Sequence, residues 1–151
     1  MKRKILIVTA LACLFLLAPL MSTAFATQPK QTATATGAGV FVHDHDGMPH
    51  THYFVFGVSS SSPKASPRGN FNLVCKHDGQ IDTIILSTKI KSFSVESVQG
   101  GLTAVFSGSA IVKMGNADFT SGWTFEVVAF DFGRGSDLIG VTLINPQGQV
   151  Q

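Results

Sequence analysis

The sequence predicts an all-β protein, a single-domain antiparallel β-sandwich or closed barrel of about eight strands, preceded by a signal peptide. Two observations support this prediction. Short runs of alternating apolar and polar residues recur at spacings of about 8 to 12 residues, and turn-forming Gly, Asn, Asp and Pro residues separate them. No mature segment has the apolar period of a helix. Of the two architectures, we favour the sandwich.

The first 26 residues have the three parts of an export signal. Met1 is followed by three basic residues, then by an apolar run at 5–21, then by Ala24-Phe25-Ala26, a small-x-small cleavage site. The apolar run lies at the lower limit of roughly 17 to 25 residues for a membrane span, and Pro19 interrupts it. We therefore predict cleavage after Ala26, export to the periplasm or the medium, and no membrane insertion after cleavage.

Removing residues 1–26 also removes the excess of positive charge. The full chain has 11 basic and 9 acidic residues, and three of the basic ones lie in the signal. The mature chain is left with eight basic residues against nine acidic, so charge indicates no nucleic-acid partner and no anionic membrane surface. Its length suits one domain. We expect a flexible N-terminus at 27–36 and an all-β domain at 37–151.

The predicted strands follow one another as hairpins. The first hairpin pairs 40–45 with 50–58, and the Ser- and Pro-rich residues 59–68 form a surface loop. After a strand at 70–76 and a turn at 77–80, apolar parity reverses near Lys91 and Ser92, which indicates a bulge or bend that passes the chain to a new strand.

Three further strands have inward-facing apolar rows. On the first of them, Gly108 marks a close approach or a bulge. The predicted rows are Leu102, Ala104, Phe106, Ala110 and Val112; Trp123, Phe125, Val127 and Ala129; and Ile139, Val141 and Leu143.

The most distinctive segment is His-Asp-His-Asp-Gly-Met-Pro-His-Thr-His at 43–52, which contains four of the five histidines. Asp-Gly and Met-Pro are turn sequences, so we predict a hairpin tip between Gly47 and Met48. A loop of even length then sets His45 opposite His50 and His43 opposite His52. Because strand side chains alternate, all four imidazoles would emerge on one face, with opposed Cβ atoms about 5 Å apart.

Four clustered imidazoles with neighbouring carboxylates suit Zn²⁺, Cu²⁺ or Ni²⁺. We predict the ligands His43, His45, His50 and His52. Asp44 and Asp46 would accept hydrogen bonds from them or neutralise charge. His77 would join these ligands only if the turn at 77–80 lies at the same end of the fold as the tip of the first hairpin. The alternative interpretation is a solvated tip that is merely rich in histidine.

Cys75 is the only cysteine that remains after signal cleavage. It has the same strand parity as Phe71 and Leu73, which predicts an inward, buried and chemically inert thiol. The alternative is an intermolecular disulfide, since an exported chain with one cysteine has no intrachain partner.

No catalytic signature is found. The chain has no Gly-x-Ser-x-Gly nucleophile elbow, and Ser107-Gly108-Ser109 lies inside a predicted strand. An exposed hairpin also gives poor shelter to a catalytic metal. We therefore predict that the protein is not an enzyme.

Several short, glycine-centred motifs give the chain a family resemblance. Among them is Pro67-Arg68-Gly69, which enters a predicted strand. The motifs lie at 37–39, 54–58, 67–71, 86–90, 104–108 and 131–137. With them, the segment 37–150 resembles a small exported all-β domain of the post-COAP type, found at the ends of cell-surface proteins. The resemblance implies a sandwich or barrel with an accessory role and no catalytic residues; the His-rich tip departs from its pattern.

These observations lead to two functional hypotheses. The first is an exported binding module that captures Zn or Cu through the His-rich hairpin. The second is a non-catalytic structural or interaction protein of the cell envelope, in which a surface or envelope protein is the partner and the histidines are incidental.

Overall fold

A computed structural model describes residues 32–45, 47–133 and 137–151, with only the backbone of His45. The predicted signal peptide, residues 27–31 and Asp46 lie outside these ranges. Seven strands form the described chain: β1 (Ala33–His45), β2 (Met48–Ser60), β3 (Arg68–His77), β4 (Gln80–Val98), β5 (Gly101–Met114), β6 (Thr120–Asp131) and β7 (Leu138–Ile144). These ranges contain no helix that is long and apolar enough to span a membrane.

Each strand pairs antiparallel with the next, so the sheet order is β1 to β7. This single sheet curls into a half-barrel. The all-β, antiparallel prediction is confirmed, but the architecture differs from the predicted sandwich because one curled sheet covers its own core. A groove of about 600 Å³ separates β1 from the β6–β7 end of the sheet, with Phe54, Phe56 and Ile139 among its lining residues.

The strand count falls to seven because β4 is continuous for 19 residues. The predicted irregularity near Lys91 is confirmed, since the register with β5 shifts between Ile90 and Ser92. A second shift lies between Ser87 and Lys89. Each extra residue reverses the side-chain parity and bends the strand. The chain therefore continues in one bent strand where we predicted two.

The core lies on the concave face of the sheet. Phe71, Phe106 and Phe125 are at most 2% exposed, and their ring centroids are 5.1 to 6.3 Å apart. The inward rows predicted on β5, β6 and β7 are confirmed by burial in, or packing against, this cluster, apart from Leu102 at the end of β5, which is exposed. On β4, Ile85 and Ile90 are both buried although they are five residues apart, because the bulge after Ser87 lies between them and restores the same face.

Gly108 lies where the backbone of β4 closely approaches β5. A Cβ atom at this position would lie 2.1 Å from the carbonyl oxygen of Lys89 and 2.8 Å from the ring of Phe125. The predicted close approach at this glycine is thus confirmed.

β1 begins earlier than the sequence suggested. Ala33 pairs with Ser60, and the pairing continues without a register shift to the hairpin tip. Four residues expected in the N-terminal segment therefore belong to the sheet. Their alternating Ala and Thr residues fit a strand, although they carry too little apolar surface to show a clear period.

Candidate metal centre

The tip of the first hairpin is a two-residue turn between His45 and Met48. Gly47 has a φ of 77°, a left-handed conformation that such tight turns require and that glycine adopts without strain. The tip lies one residue earlier in the chain than the predicted position between Gly47 and Met48. That small displacement changes which residues face each other.

His43 pairs with His50, and Phe41 pairs with His52. The predicted pairs His45–His50 and His43–His52 are therefore wrong, because each partner on β2 is shifted by two residues. The loop length is nevertheless even, so the backbone positions 43, 45, 50 and 52 share one face of the sheet. The ring centroids of His43 and His52 lie 6.3 Å apart.

The neighbouring strand β3 adds a thiol to this face. Cys75 pairs with His52 across the sheet. Its Sγ lies 3.4 Å from Nδ1 of His50 and 3.9 Å from Nε2 of His52. Cys75 is 5% exposed, which confirms the predicted inward position. Two imidazoles therefore lie beside the thiol, which is within reach of two of the four predicted metal ligands.

A β-bulge brings a carboxylate to the same place. Cys75 pairs with Thr83 and Lys76 pairs with Ile81, which leaves Asp82 as the extra residue on β4. A bulged residue turns away from regular alternation, and here the turn directs the carboxylate toward Cys75. The backbone is fixed by Gly115, whose N–H donates to the Asp82 carbonyl at 2.6 Å.

The donor atoms of His50, Cys75 and Asp82 lie within 4.8 Å of one another. A tetrahedral zinc ion with bonds of about 2.0 to 2.1 Å to nitrogen and about 2.3 Å to sulfur holds those two ligands about 3.5 Å apart. The observed nitrogen-to-sulfur distances, 3.4 Å and 3.9 Å, are close to this value. This His/Cys/Asp group could therefore hold a metal ion.

Stacked rings fix the two imidazoles. His52 stacks on Phe41 with a centroid distance of 4.6 Å and an interplanar angle of 4°. His50 stacks on His77 at 4.8 Å and 8°. The stacking of His77 on His50 shows that the two hairpin tips lie at the same end of the fold. His77 therefore lies beside the predicted ligand His50.

The protonation preferences favour uncharged groups before an ion binds. Burial raises the pKa of the Cys75 thiol, and the nearby Asp82 carboxylate raises it further. Burial lowers the pKa of His52, and the imidazoles of His43 and His50 lower it further. Neutral imidazole is the form that binds a metal, whereas the thiol must release its proton to do so.

Among the described atoms, the structure does not bring the other predicted site residues, Asp44, Asp46 and His45, into the His50, Cys75 and Asp82 group. Asp44 pairs with Pro49 and has the opposite parity to His43, so it is exposed on the other face. Asp46 and the side chain of His45 lie outside the described atoms. Sequence reasoning did not include Cys75 and Asp82 in the site. The inward parity of Cys75 was the only available signal, because the register between β2 and β3 is not encoded locally.

Comparison with known proteins gives no relative: no family model, curated protein or solved structure matches the chain.

Proposed function

We propose that the protein is an exported binding module that captures one transition-metal ion, zinc or copper, through His50, Cys75 and Asp82, with His52 beside the thiol. The observation that carries this proposal is the convergence of nitrogen, sulfur and oxygen donors from three strands within 4.8 Å. The N-terminal sequence 1–26 supports export. The proposal moves the centre of the site from the hairpin tip to the space between the hairpin and β3.

The donor types support zinc or copper over other ions. Imidazole and thiolate are borderline and soft ligands that suit these metals, whereas Mg²⁺ and Ca²⁺ prefer oxygen. The low exposure of Cys75 supports a stable bond, since a thiolate removed from water interacts more strongly with a cation. His43 and His77 lie beside the ligands and supply further imidazoles at the surface.

Equilibrium dialysis with metal analysis tests the proposal on mature protein purified without a His-affinity tag. We expect one Zn²⁺ or Cu²⁺ per chain. Even the loss of a group that merely supports a ligand costs about 10- to 100-fold in affinity. Cys75→Ser, which removes a direct ligand, should therefore weaken binding at least tenfold.

Asp44→Asn is the matched control, because it removes a carboxylate from the same hairpin on the opposite face. It should leave affinity unchanged. Wild-type affinity in Cys75→Ser and in a His50→Ala variant, both folded by circular dichroism, would overturn the proposed site.

One observation favours the alternative role as a non-catalytic interaction protein of the envelope. The outer face of β1 and β2 exposes four apolar side chains: Val40, Val42, Tyr53 and Val55, at 58%, 65%, 43% and 47%. Contiguous exposed apolar residues are typical of contact surfaces. This role predicts that pull-downs from the envelope survive chelation but are lost with Val42→Asp.

A further inference from the structure

We propose that the groove between β1 and the β6–β7 end of the sheet binds an extended peptide segment of another protein, which pairs with the free edge of β1 as an additional strand. The segment is apolar at alternate positions, uncharged along most of its length and basic at its C-terminal end. This site does not include the metal centre and does not depend on metal binding. The proposal is carried by the edge of β1, by strand direction and by the lining of the groove.

The first observation is the direction of the backbone groups of β1. The pair His45–Met48 flanks the two-residue turn, and such a pair exchanges both backbone hydrogen bonds. Bonded and non-bonded pairs then alternate, and Pro49, which has no N–H, lies at the next, non-bonded position. The N–H and C=O groups that point away from β2 therefore belong to the even-numbered residues, which are Thr34, Thr36, Ala38, Val40 and Val42.

This edge lacks the protection that native edge strands usually have. β1 ends the sheet order, so within the described ranges β2 is the only strand paired with it. Lys, Pro and bulges commonly shield an edge. Residues 33–42 contain no charged residue and no proline, and the pairing with β2 has no register shift. An edge of this kind is open to strand addition, in which backbone hydrogen bonds supply the affinity.

Strand direction leaves a place for one antiparallel strand beside β1. Each of the seven strands is antiparallel to the next, so β1 and β7 run in the same direction. One strand between them can be antiparallel to both. Val150 shows this orientation on the edge of β7 that faces away from β6: it pairs antiparallel with Ile144, and the N–H of Gln151 donates to the carbonyl of Leu143 at 2.9 Å.

The walls of the groove favour a single strand as its occupant. The lining residues lie at 34–41 on β1 and, on the opposite wall, at 129–131 and 137–139. The groove volume of about 600 Å³ is within the range of roughly 300 to 1,000 Å³ for ligand sites. A single extended segment contacts both walls. A second folded copy would have to bring its own neighbouring strand with it.

The floor of the groove supplies apolar contacts for alternate side chains of the segment. Phe54 and Phe56 line it, and their rings lie over two glycines of β1. A Cβ atom at Gly37 would lie 2.5 Å from the ring of Phe56, and one at Gly39 would lie 2.8 Å from the ring of Phe54. The absence of side chains at these glycines therefore lets the rings extend across β1 to the groove.

Charge at one end of the groove sets the preferred polarity of the segment. Asp131 and Asp137 line the groove where β6 ends and β7 begins. No Lys or Arg in the described part of the chain forms an ion pair with either carboxylate. Leu102 pairs with Asp131 and lines the groove together with Thr34, so this is the end where β1 begins. A segment antiparallel to β1 reaches the carboxylates with its C-terminal end, where a Lys or Arg is complementary.

Amide hydrogen exchange measured by NMR tests the proposal on the mature protein. The probe is the synthetic peptide acetyl-Thr-Val-Thr-Val-Thr-Val-Thr-Lys-amide. We expect saturable binding and slower exchange of the even-numbered amides at 34–42, because the peptide accepts their hydrogen bonds. The odd-numbered amides of β1 bond to β2 with or without the peptide and should change little. The same peptide with proline at its fourth position should not bind.

Two variants at one position separate edge pairing from other contacts. Ala38→Pro removes an N–H from the free edge and no hydrogen bond to β2, so it should keep the fold by circular dichroism and weaken peptide binding about fivefold or more. Ala38→Val is the matched control, because it keeps the N–H and its side chain is exposed. It should bind the peptide as the wild type does.

The charge preference is tested on the peptide. Replacing its lysine by glutamate should weaken binding about fivefold. The loss should be smaller in Asp137→Asn, which removes the charge and keeps an oxygen that can accept the hydrogen bond from the Phe132 N–H. An equal loss in the two proteins would overturn the assigned polarity of the segment.

Three results would overturn the site itself. They are no saturable binding, binding without slower exchange at the even-numbered amides, and equal affinity in folded Ala38→Pro and Ala38→Val. If Ala38→Pro does not fold, the exchange pattern of the wild-type protein still decides. Slower exchange of the same amides with rising protein concentration and no peptide would overturn the peptide assignment and assign the edge to a second copy of the chain.

Discussion

Asp82 shows how a single residue can change the chemistry of a site. In a regular strand its side chain would alternate away from Cys75, but the bulge turns its carboxylate toward the thiol. The carboxylate in turn accepts a hydrogen bond from the Thr83 hydroxyl at 3.0 Å. One extra position in β4 thus completes the donor group.

His52 makes the metal-free fold sensitive to acid. Burial, followed by His43 and His50, lowers its pKa in the folded state. The unfolded chain, with a histidine pKa of about 6.5, therefore binds the proton first. The stabilising contribution of neutral His52 is complete above that value and is lost as the pH falls toward the folded pKa.

Urea unfolding of metal-free protein at pH 7.5 and pH 5.5 measures this effect. We expect lower stability at pH 5.5, and a smaller difference in His52→Gln, which cannot take up the proton. An equal pH dependence in the two proteins would contradict the assignment to His52.

At the same scale, part of the site could be predicted from the sequence. The grouping of His50 with His52 on one face and the inward position of Cys75 both follow from period-two alternation. Alternation does not predict the contact between the imidazoles and the thiol. That contact depends on the pairing of His52 with Cys75, which are 23 positions apart in the chain. The position of Asp82 depends on a bulge that its local sequence does not mark.

Among the elements, β4 explains why the predicted strand count was too high. The reversal of apolar parity near Lys91 was visible, but its consequence was ambiguous, since a bulge and a new strand give the same pattern. The bulge before Lys89 was hidden, because Ile84, Ile85 and Leu86 are all apolar and any of them could face inward. The structure buries Ile85.

Gly108 permits the contact between β4 and β5, so Gly108→Ala should destabilise the protein. The new Cβ would meet the Lys89 carbonyl at 2.1 Å, and overpacking of this kind costs about 1 to 3 kcal/mol or more. Gly140→Ala on β7 is the matched control, because a Cβ there has no heavy atom within 4 Å. It should change stability by less than about 0.5 kcal/mol.

Chemical denaturation of the two variants decides between a steric and a general effect of losing glycine. Similar losses in Gly108→Ala and Gly140→Ala would contradict the steric explanation.

On the scale of the whole molecule, curvature replaces the second sheet that a sandwich would need. The inward apolar rows could be predicted from the sequence. The way in which the strands enclose the core could not, because the same inward alternation occurs in a sandwich, a barrel and a curled sheet. Bulges in β4 increase the bend, so that Phe71, Phe106 and Phe125 pack against one another across a single sheet. The candidate metal centre of His50, Cys75 and Asp82 lies at the hairpin-tip end of this concave face.

Metal binding should therefore stabilise the whole fold, because the ligands come from three strands. An ion that binds only the folded state contributes about 2.7 kcal/mol at 100 times its Kd. For a domain of this size that corresponds to a rise in Tm of roughly 5 to 15 °C. Differential scanning calorimetry with and without Zn²⁺ should show this rise, chelation should reverse it, and an equal rise in Cys75→Ser would contradict it.

The most direct test of the metal centre is X-ray absorption spectroscopy of the zinc-loaded mature protein. The proposed ligands predict one sulfur at about 2.3 Å together with nitrogen and oxygen neighbours at about 2.0 to 2.2 Å. In Cys75→Ser the sulfur contribution should disappear. A shell of nitrogen and oxygen alone in the wild-type protein would contradict the account, because it would assign the ion to the histidines without Cys75.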